Sequence, residues 1–247
     1  MNEEIIEGRN PVIEALRAGR PLNKVLLASN IGQHSAIAEI LHLSKAQGIP
    51  VEYVTRDALD RMSATRTHQG VIASAAAQAY VSLEDLLAVS RAKNEPPLFC
   101  LLDGVEDPQN LGAVIRTAEA SGIHGVIIPS RRAAGLTAAV ARASAGAVAY
   151  LPVARVANLS QTIDALKESG VWVVGLDAAG TLDYTGIDFK PPTAIVIGGE
   201  GKGLSELVRK KCDFLARIPM RGKISSLNAS VAAALVMYEA VRQRGVQ

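Results

Sequence analysis

The chain has 247 residues, 49% of them hydrophobic, enough for a substantial core in one or two domains. A formal net charge of +2 and an aromatic content of 4% argue against a uniformly basic nucleic-acid coat and against rows of base-stacking rings, so any basic surface has to be local. Cys100 and Cys212 stand far apart without a C-x-x-C pair, which rules out a standard zinc site and fits buried thiols in a reducing cytoplasm. The opening MNEEIIEGRN is acidic and lacks an apolar signal core, and no apolar run reaches the length of a membrane span. A cytoplasmic protein with no membrane partner and no metal is expected.

In chain order, Asn10-Pro11 reads as a helix start, Asn as N-cap and Pro at the first helical position, with Gly19 closing the helix. A strand is expected at 24–29, a helix at 34–48 ending on Gly48, and strands at 51–54 and 70–77. Over residues 1–80, eight basic side chains balance eight acidic ones, so 1–77 reads as a neutral small α/β domain. Residues 78–97 read as a linker carrying one short helix and ending at Pro96-Pro97. From residue 98 a second alternation begins. Strands are expected at 98–103, 125–128, 171–176, 194–198 and 214–218, and helices at 109–121, 159–168, 204–211 and 226–242. Apolar strands alternating with helices imply a parallel sheet covered on both faces.

Three segments of 98–247 carry candidate chemistry. In LDGVEDPQNLGAVIRTAEASG (102–122), Arg116 and Glu119 are three apart on one helix face, which by itself suggests a surface ion pair. In VIGGEGKGLS (196–205), glycines at 198, 199, 201 and 203 strip side chains from the carboxyl end of a strand, the usual ligand position in an α/β sheet. The loop fails both the phosphate-loop and the dinucleotide consensus, and Glu200 would repel a pyrophosphate, so an NTPase is disfavoured. In ARIPMRGKISSLNASVAAALVMYEA (216–240), a polar loop with Arg221 and Lys223 leads into a helix of small residues suited to close packing.

Together these segments resemble the three motifs of the SpoU (TrmH-type) RNA ribose 2′-O-methyltransferases of the SPOUT superfamily: N-L-G-x-x-x-R-T-A, G-x-E-G-x-G and I-P-M-x-G-x-x-S-S-L-N-x-S. THQGVIA (67–73) looks like the end of the family's small L30e-like substrate-binding domain, so the resemblance spans essentially the whole chain. It implies an L30e-like domain followed by a SPOUT catalytic domain with a parallel sheet and a C-terminal trefoil knot, working as a homodimer with S-adenosyl-L-methionine as cofactor. Within the family it points to members that methylate a guanosine ribose in the peptidyl-transferase region of 23S ribosomal RNA; transfer RNA, another ribosomal nucleotide, or a silent RNA-binding role are the alternatives. Carried over residue by residue, Asn110, Arg116, Glu200, Ser226 and Asn228 are the expected catalytic set. Gly198, Gly199, Ile218, Met220 and Leu227 are the expected cofactor wall, and Arg221, Lys223 and His68 are candidate RNA contacts. His124 reads as structural.

Overall fold

A computed structural model describes residues 5–32, 34–63 and 66–245. The chain forms two compact units: one runs to Ala79 and also includes Gly135–Ala139, the other comprises Tyr80–Ala134 and the chain from Val140 onward.

The first unit contains β1 (Ile5–Glu7), α1 (Arg9–Arg17), β2 (Leu22–Ala28), α2 (Ser35–Ala46), β3 (Val51–Val54), α3 (Arg56–Met62) and β4 (Val71–Ala75). Its sheet order is β1-β4-β2-β3, with β4 antiparallel to β1 and β2, and β2 parallel to β3. The first helix starts earlier than expected: Gly8, not Asn10, is its N-cap, and Pro11 sits within the first turn, where its missing N–H leaves no intrahelical bond unmade. Val12, Leu16, Leu27, Ile40 and Val71 bury a common core with α1 and α2 against the sheet. Asn23 is buried and donates from Nδ2 to the carbonyls of Ala75 (3.0 Å) and Leu136 (3.4 Å), which ties Gly135–Ala139 into this unit.

The second unit contains α4 (Leu83–Lys93), β5 (Leu98–Asp103), α5 (Pro108–Ala120), β6 (Gly125–Pro129), α6 (Ala138–Ala143, entered from the first unit), β7 (Val153–Val156), α7 (Leu159–Glu168), β8 (Trp172–Leu176), β9 (Leu182–Asp183), β10 (Thr193–Gly198), α8 (Glu206–Lys211), β11 (Phe214–Arg217) and α9 (Ala229–Arg244). Its seven strands are all parallel, in the order β7-β6-β5-β10-β8-β11-β9. The short strands β1, β7 and β9 and the helices α3 and α6 have no counterpart among the sequence expectations. They are two to seven residues long, too short for periodicity to mark. Residues 78–97, expected as a linker with one short helix, carry α4, whose Ser82–Asp85 capping box fixes its start. Leu86 on this helix is fully buried among Phe99, Ile127 and Ile163, so the stretch from Tyr80 is part of the second unit's core.

Arg244 anchors the far end of α9. Its guanidinium donates to the carbonyls of Pro96 (2.5 Å), Pro97 (3.0 Å), Phe189 (2.8 Å) and Pro191 (2.8 Å), and its burial pulls the guanidinium pKa down. No helix among the described residues is long and apolar enough to cross a membrane.

Candidate active site

The central strands β5 and β10 pair in register, Asp103 opposite Gly198, so both end at the same level of the sheet. Beyond them the chain turns into α5 on one side and the glycine loop on the other. Asp107 caps α5, accepting from the N–H groups of Gln109 (3.3 Å) and Asn110 (3.2 Å), and so orients the Asn110 side chain at the helix start. The glycine loop closes on itself through the Gly203 N–H, which donates to the Gly199 carbonyl at 2.9 Å.

Gly198 and Gly199 are demanded by packing. A Cβ on Gly198 would lie 2.5 Å from both the Gly203 oxygen and the Leu204 nitrogen; one on Gly199 would strike the Gly104 carbonyl oxygen and lie 2.8 Å from its carbon. These are backbone atoms and cannot swing aside.

Asn228 caps α9, its Oδ1 accepting from the N–H groups of Ser230 (2.9 Å) and Val231 (3.3 Å). Its Nδ2 donates to Glu200 Oε1 at 2.5 Å and to Asn110 Oδ1 at 2.8 Å, while Asn110 Nδ2 donates to Glu200 Oε1 at 3.2 Å. Residues 90 and 118 positions apart in sequence thus meet in one closed triangle. A carboxylate oxygen accepting from two amides fixes the direction of each bond, and with it the orientation of both asparagines. The expected helix start at 226 is corrected to Ala229, leaving Ser226 and Leu227 in the loop ahead of the cap.

The other candidates are placed less tightly. Arg116 is exposed and makes no hydrogen bond or ion pair among the described residues, and the ion pair with Glu119 suggested by spacing does not form there. It lies six residues beyond Asn110, roughly 9 Å along α5 and about 120° around it, outside the triangle. Ser226 is exposed and makes no hydrogen bond among the described residues. Ile218 is half-buried, and Met220 and Leu227 are exposed apolar side chains in the loop between β11 and α9.

Of the basic stretch at 209–223, four members are paired: Arg209 with Asp177 (3.3 Å), Lys210 with Glu206 (2.6 Å), Lys211 with Asp164, and Arg217 with Asp183 (2.8 Å). Arg221 and Lys223 remain exposed, with no ion pair among the described residues.

His68, expected to face RNA, is instead buried, at 1% exposure. Its Nδ1 accepts the Gly70 N–H at 3.0 Å, so the neutral ring carries its proton on Nε2, against Asp60 Oδ1 at 2.9 Å. That bond holds the Asp60 carboxyl below its usual range. His124 is also buried and structural: Nδ1 accepts the Leu98 N–H at 3.1 Å, Nε2 meets Glu95 at 3.0 Å, and burial lowers its pKa against the opposing pull of Glu95. The described residues contain no cluster of potential metal ligands.

A feature that motif reading passed over is an open groove of about 460 Å³ between α5 and α9, with Ala113 and Thr117 on one side and Val231, Leu235 and Tyr238 on the other. The i, i+4, i+7 spacing of the last three was available as a sequence signal.

Comparison with known proteins places this arrangement. Residues 97–238 match the model of the SpoU rRNA Methylase family, and residues 5–81 match that of the RNA 2′-O ribose methyltransferase substrate-binding domain. The chain belongs to the SpoU methylase family. It is 51% identical over 241 residues to a TrmH family tRNA/rRNA methyltransferase, YacO, of Bacillus subtilis strain 168, covering 98% of this chain and 96% of the relative. A TrmH family tRNA/rRNA methyltransferase of Staphylococcus aureus MSSA476 is 47% identical over 99% of this chain and 98% of its own. Among solved structures, the SpoU methyltransferase AviRb of Streptomyces viridochromogenes, in complex with the cofactor AdoMet, superposes with a TM-score of 0.63 at 30% identity, covering 98% of this chain and 91% of that one. As a SpoU methylase, the chain carries its network of Asn110, Glu200 and Asn228 on the three segments singled out by motif spacing.

Proposed function

We propose that the protein methylates the 2′-hydroxyl of a guanosine in the peptidyl-transferase region of 23S ribosomal RNA, with S-adenosyl-L-methionine as donor. The observation that carries this reading is the Asn110–Glu200–Asn228 triangle, built on an RNA methyltransferase fold at the carboxyl ends of β5 and β10.

The residues present fit the cofactor. Gly198 and Gly199 bring bare backbone to the ligand position of the sheet, and Ile218, Met220 and Leu227 offer apolar surface for an adenine. S-adenosyl-L-methionine, when bound, supplies a methyl group activated by its sulfonium. The protein's part is to align the ribose hydroxyl and to ease loss of its proton. Asn110, held by Glu200 and Asn228, orients the ribose. Arg116 supplies a guanidinium cation: it holds a neighbouring phosphate and stabilises the developing negative oxygen. Arg221 and Lys223 contact the RNA backbone.

The working unit is a homodimer. The apolar side chains of Val231, Leu235 and Tyr238, exposed at 48%, 38% and 52%, line the α5–α9 groove and suit a second copy. Arg116 adjoins Thr117 at the rim of this groove, which supports a site completed at the subunit interface. A C-terminal trefoil knot belongs to the same reading. It is supported by the sheet order, in which β11 lies between β8 and β9 although those two strands follow one another in the chain.

The test is transfer of labelled methyl to unmodified 23S ribosomal RNA and to unmodified transfer RNA, mapped by resistance to alkaline cleavage. One new resistant guanosine in the peptidyl-transferase region is the expected result. Label in transfer RNA alone moves the target and overturns the 23S assignment; no label in either RNA, with cofactor bound, makes the protein a silent RNA binder.

A further inference from the structure

Asp103 ends β5 directly beneath the glycine loop and makes two bonds to it. Its carbonyl accepts the Gly199 N–H at 2.8 Å, at the loop's entry. Its carboxylate Oδ2 accepts the Ser205 N–H at 2.7 Å, at the loop's exit, where Ser205 begins α8 without capping it through its own hydroxyl. Between these points the loop is closed by the Gly203-to-Gly199 bond and rests on Gly104. One residue therefore fixes both ends of the seven-residue segment 199–205, which holds three glycines and carries Glu200. Glycine-rich backbone has more conformational freedom to lose than any other, so a shape this specific needs bracing.

We propose that Asp103 is a positioning residue: its carboxylate clamps the exit of the glycine loop and so sets the shape that receives the cofactor and the place from which Glu200 holds the two asparagines. This rests on the reading that the loop binds S-adenosyl-L-methionine. A hydrogen bond to a charged acceptor is among the stronger ones, and removing it from a ligand loop is worth about ten- to a hundredfold in affinity.

The experiment measures S-adenosyl-L-methionine affinity by calorimetry, with the melting temperature and KM for RNA alongside. The proteins are the wild type, Asp103→Ala, Asp103→Asn, Ser205→Pro and Gly199→Val. Asparagine keeps an acceptor oxygen in place of the carboxylate. Proline at 205 deletes the donor while matching the observed φ of −63° and ψ of 149°. The expected result is cofactor affinity lowered about ten- to a hundredfold in Asp103→Ala and Ser205→Pro. Asp103→Asn should recover most of it, with KM for RNA little changed. Unchanged affinity in either deletion while Gly199→Val abolishes binding overturns the role of Asp103. An Asp103→Asn protein as weak as Asp103→Ala overturns the clamp too, because the acceptor alone then restores nothing. If Gly199→Val also binds like the wild type, the loop itself is misassigned. Should Asp103→Ala fail to fold, Ser205→Pro and Asp103→Asn decide the matter.

Discussion

Gly199→Ala adds a single methyl group at the most crowded backbone in the site. That carbon would strike the Gly104 carbonyl oxygen and sit 2.8 Å from the carbonyl carbon, roughly 0.7 Å inside the ~3.5 Å separation at which carbon contacts become favourable. Gly104 is held by the Asp103 corner, and Gly199 by its own bonds to Asp103 and Gly203, so neither chain moves without breaking a hydrogen bond. Overpacking of this kind costs about 1–3 kcal/mol of folding stability. If the loop yields instead, a displacement approaching 1 Å at a ligand site lowers function by about a hundredfold. Calorimetric affinity for S-adenosyl-L-methionine and chemical denaturation, read together, show how the strain divides. Gly186→Ala is the control, since a Cβ there meets nothing within 4 Å. A Gly199→Ala protein with wild-type affinity and wild-type stability would refute the steric reasoning.

Arg116→Ala should lower the rate of methyl transfer by about 10²–10³ while leaving cofactor affinity within about twofold, because the side chain stands outside the Asn110–Glu200–Asn228 network; single-turnover kinetics and calorimetry check both halves. Glu200→Ala strands the amides of Asn110 and Asn228 and should cost about 1–3 kcal/mol in transition-state stabilisation, with Glu200→Gln recovering part of the loss; kcat/KM of the two variants is the readout. Arg244→Ala removes donors from four carbonyls and should lower unfolding stability by about 2–4 kcal/mol in urea titrations, with little change in cofactor affinity. His124 has its folded pKa pushed below 6.5 by burial, so the unfolded chain binds more protons there. Its contribution is present above about pH 6.5 and is lost as pH falls below it. His124→Gln should flatten that part of the melting-temperature profile, and an unaltered slope would contradict the assignment.

The sequence was most legible where chemistry and periodicity coincide. The buried strands at 98–103, 125–129 and 193–198 are continuous apolar runs, and the structure places them within a residue or two of expectation. Asn110, Glu200 and Asn228 were marked by motif spacing, but their mutual hydrogen bonds depend on strand order, which local pattern does not encode. Two helix starts were misplaced: α1 begins after Gly8 rather than after Asn10, and α9 begins after Asn228 rather than at 226. His68 looked like a surface residue in a polar stretch; the bond from Gly70 and the partner Asp60 that justify its burial come from the fold of α3 against β4's approach. The split of the basic stretch into four paired side chains and two without an ion pair among the described residues depends on one acidic residue four positions back in α8 and on three that lie 32 to 47 positions away in sequence.

The most direct test of the central claim is the chemical identity of the product. Unmodified 23S ribosomal RNA is treated with wild-type protein and S-adenosyl-L-methionine, digested to nucleosides and resolved by mass and retention. The account predicts one equivalent of 2′-O-methylguanosine, and none with Asn110→Ala. A methyl group on a base, or undiminished ribose methylation by Asn110→Ala, would contradict it.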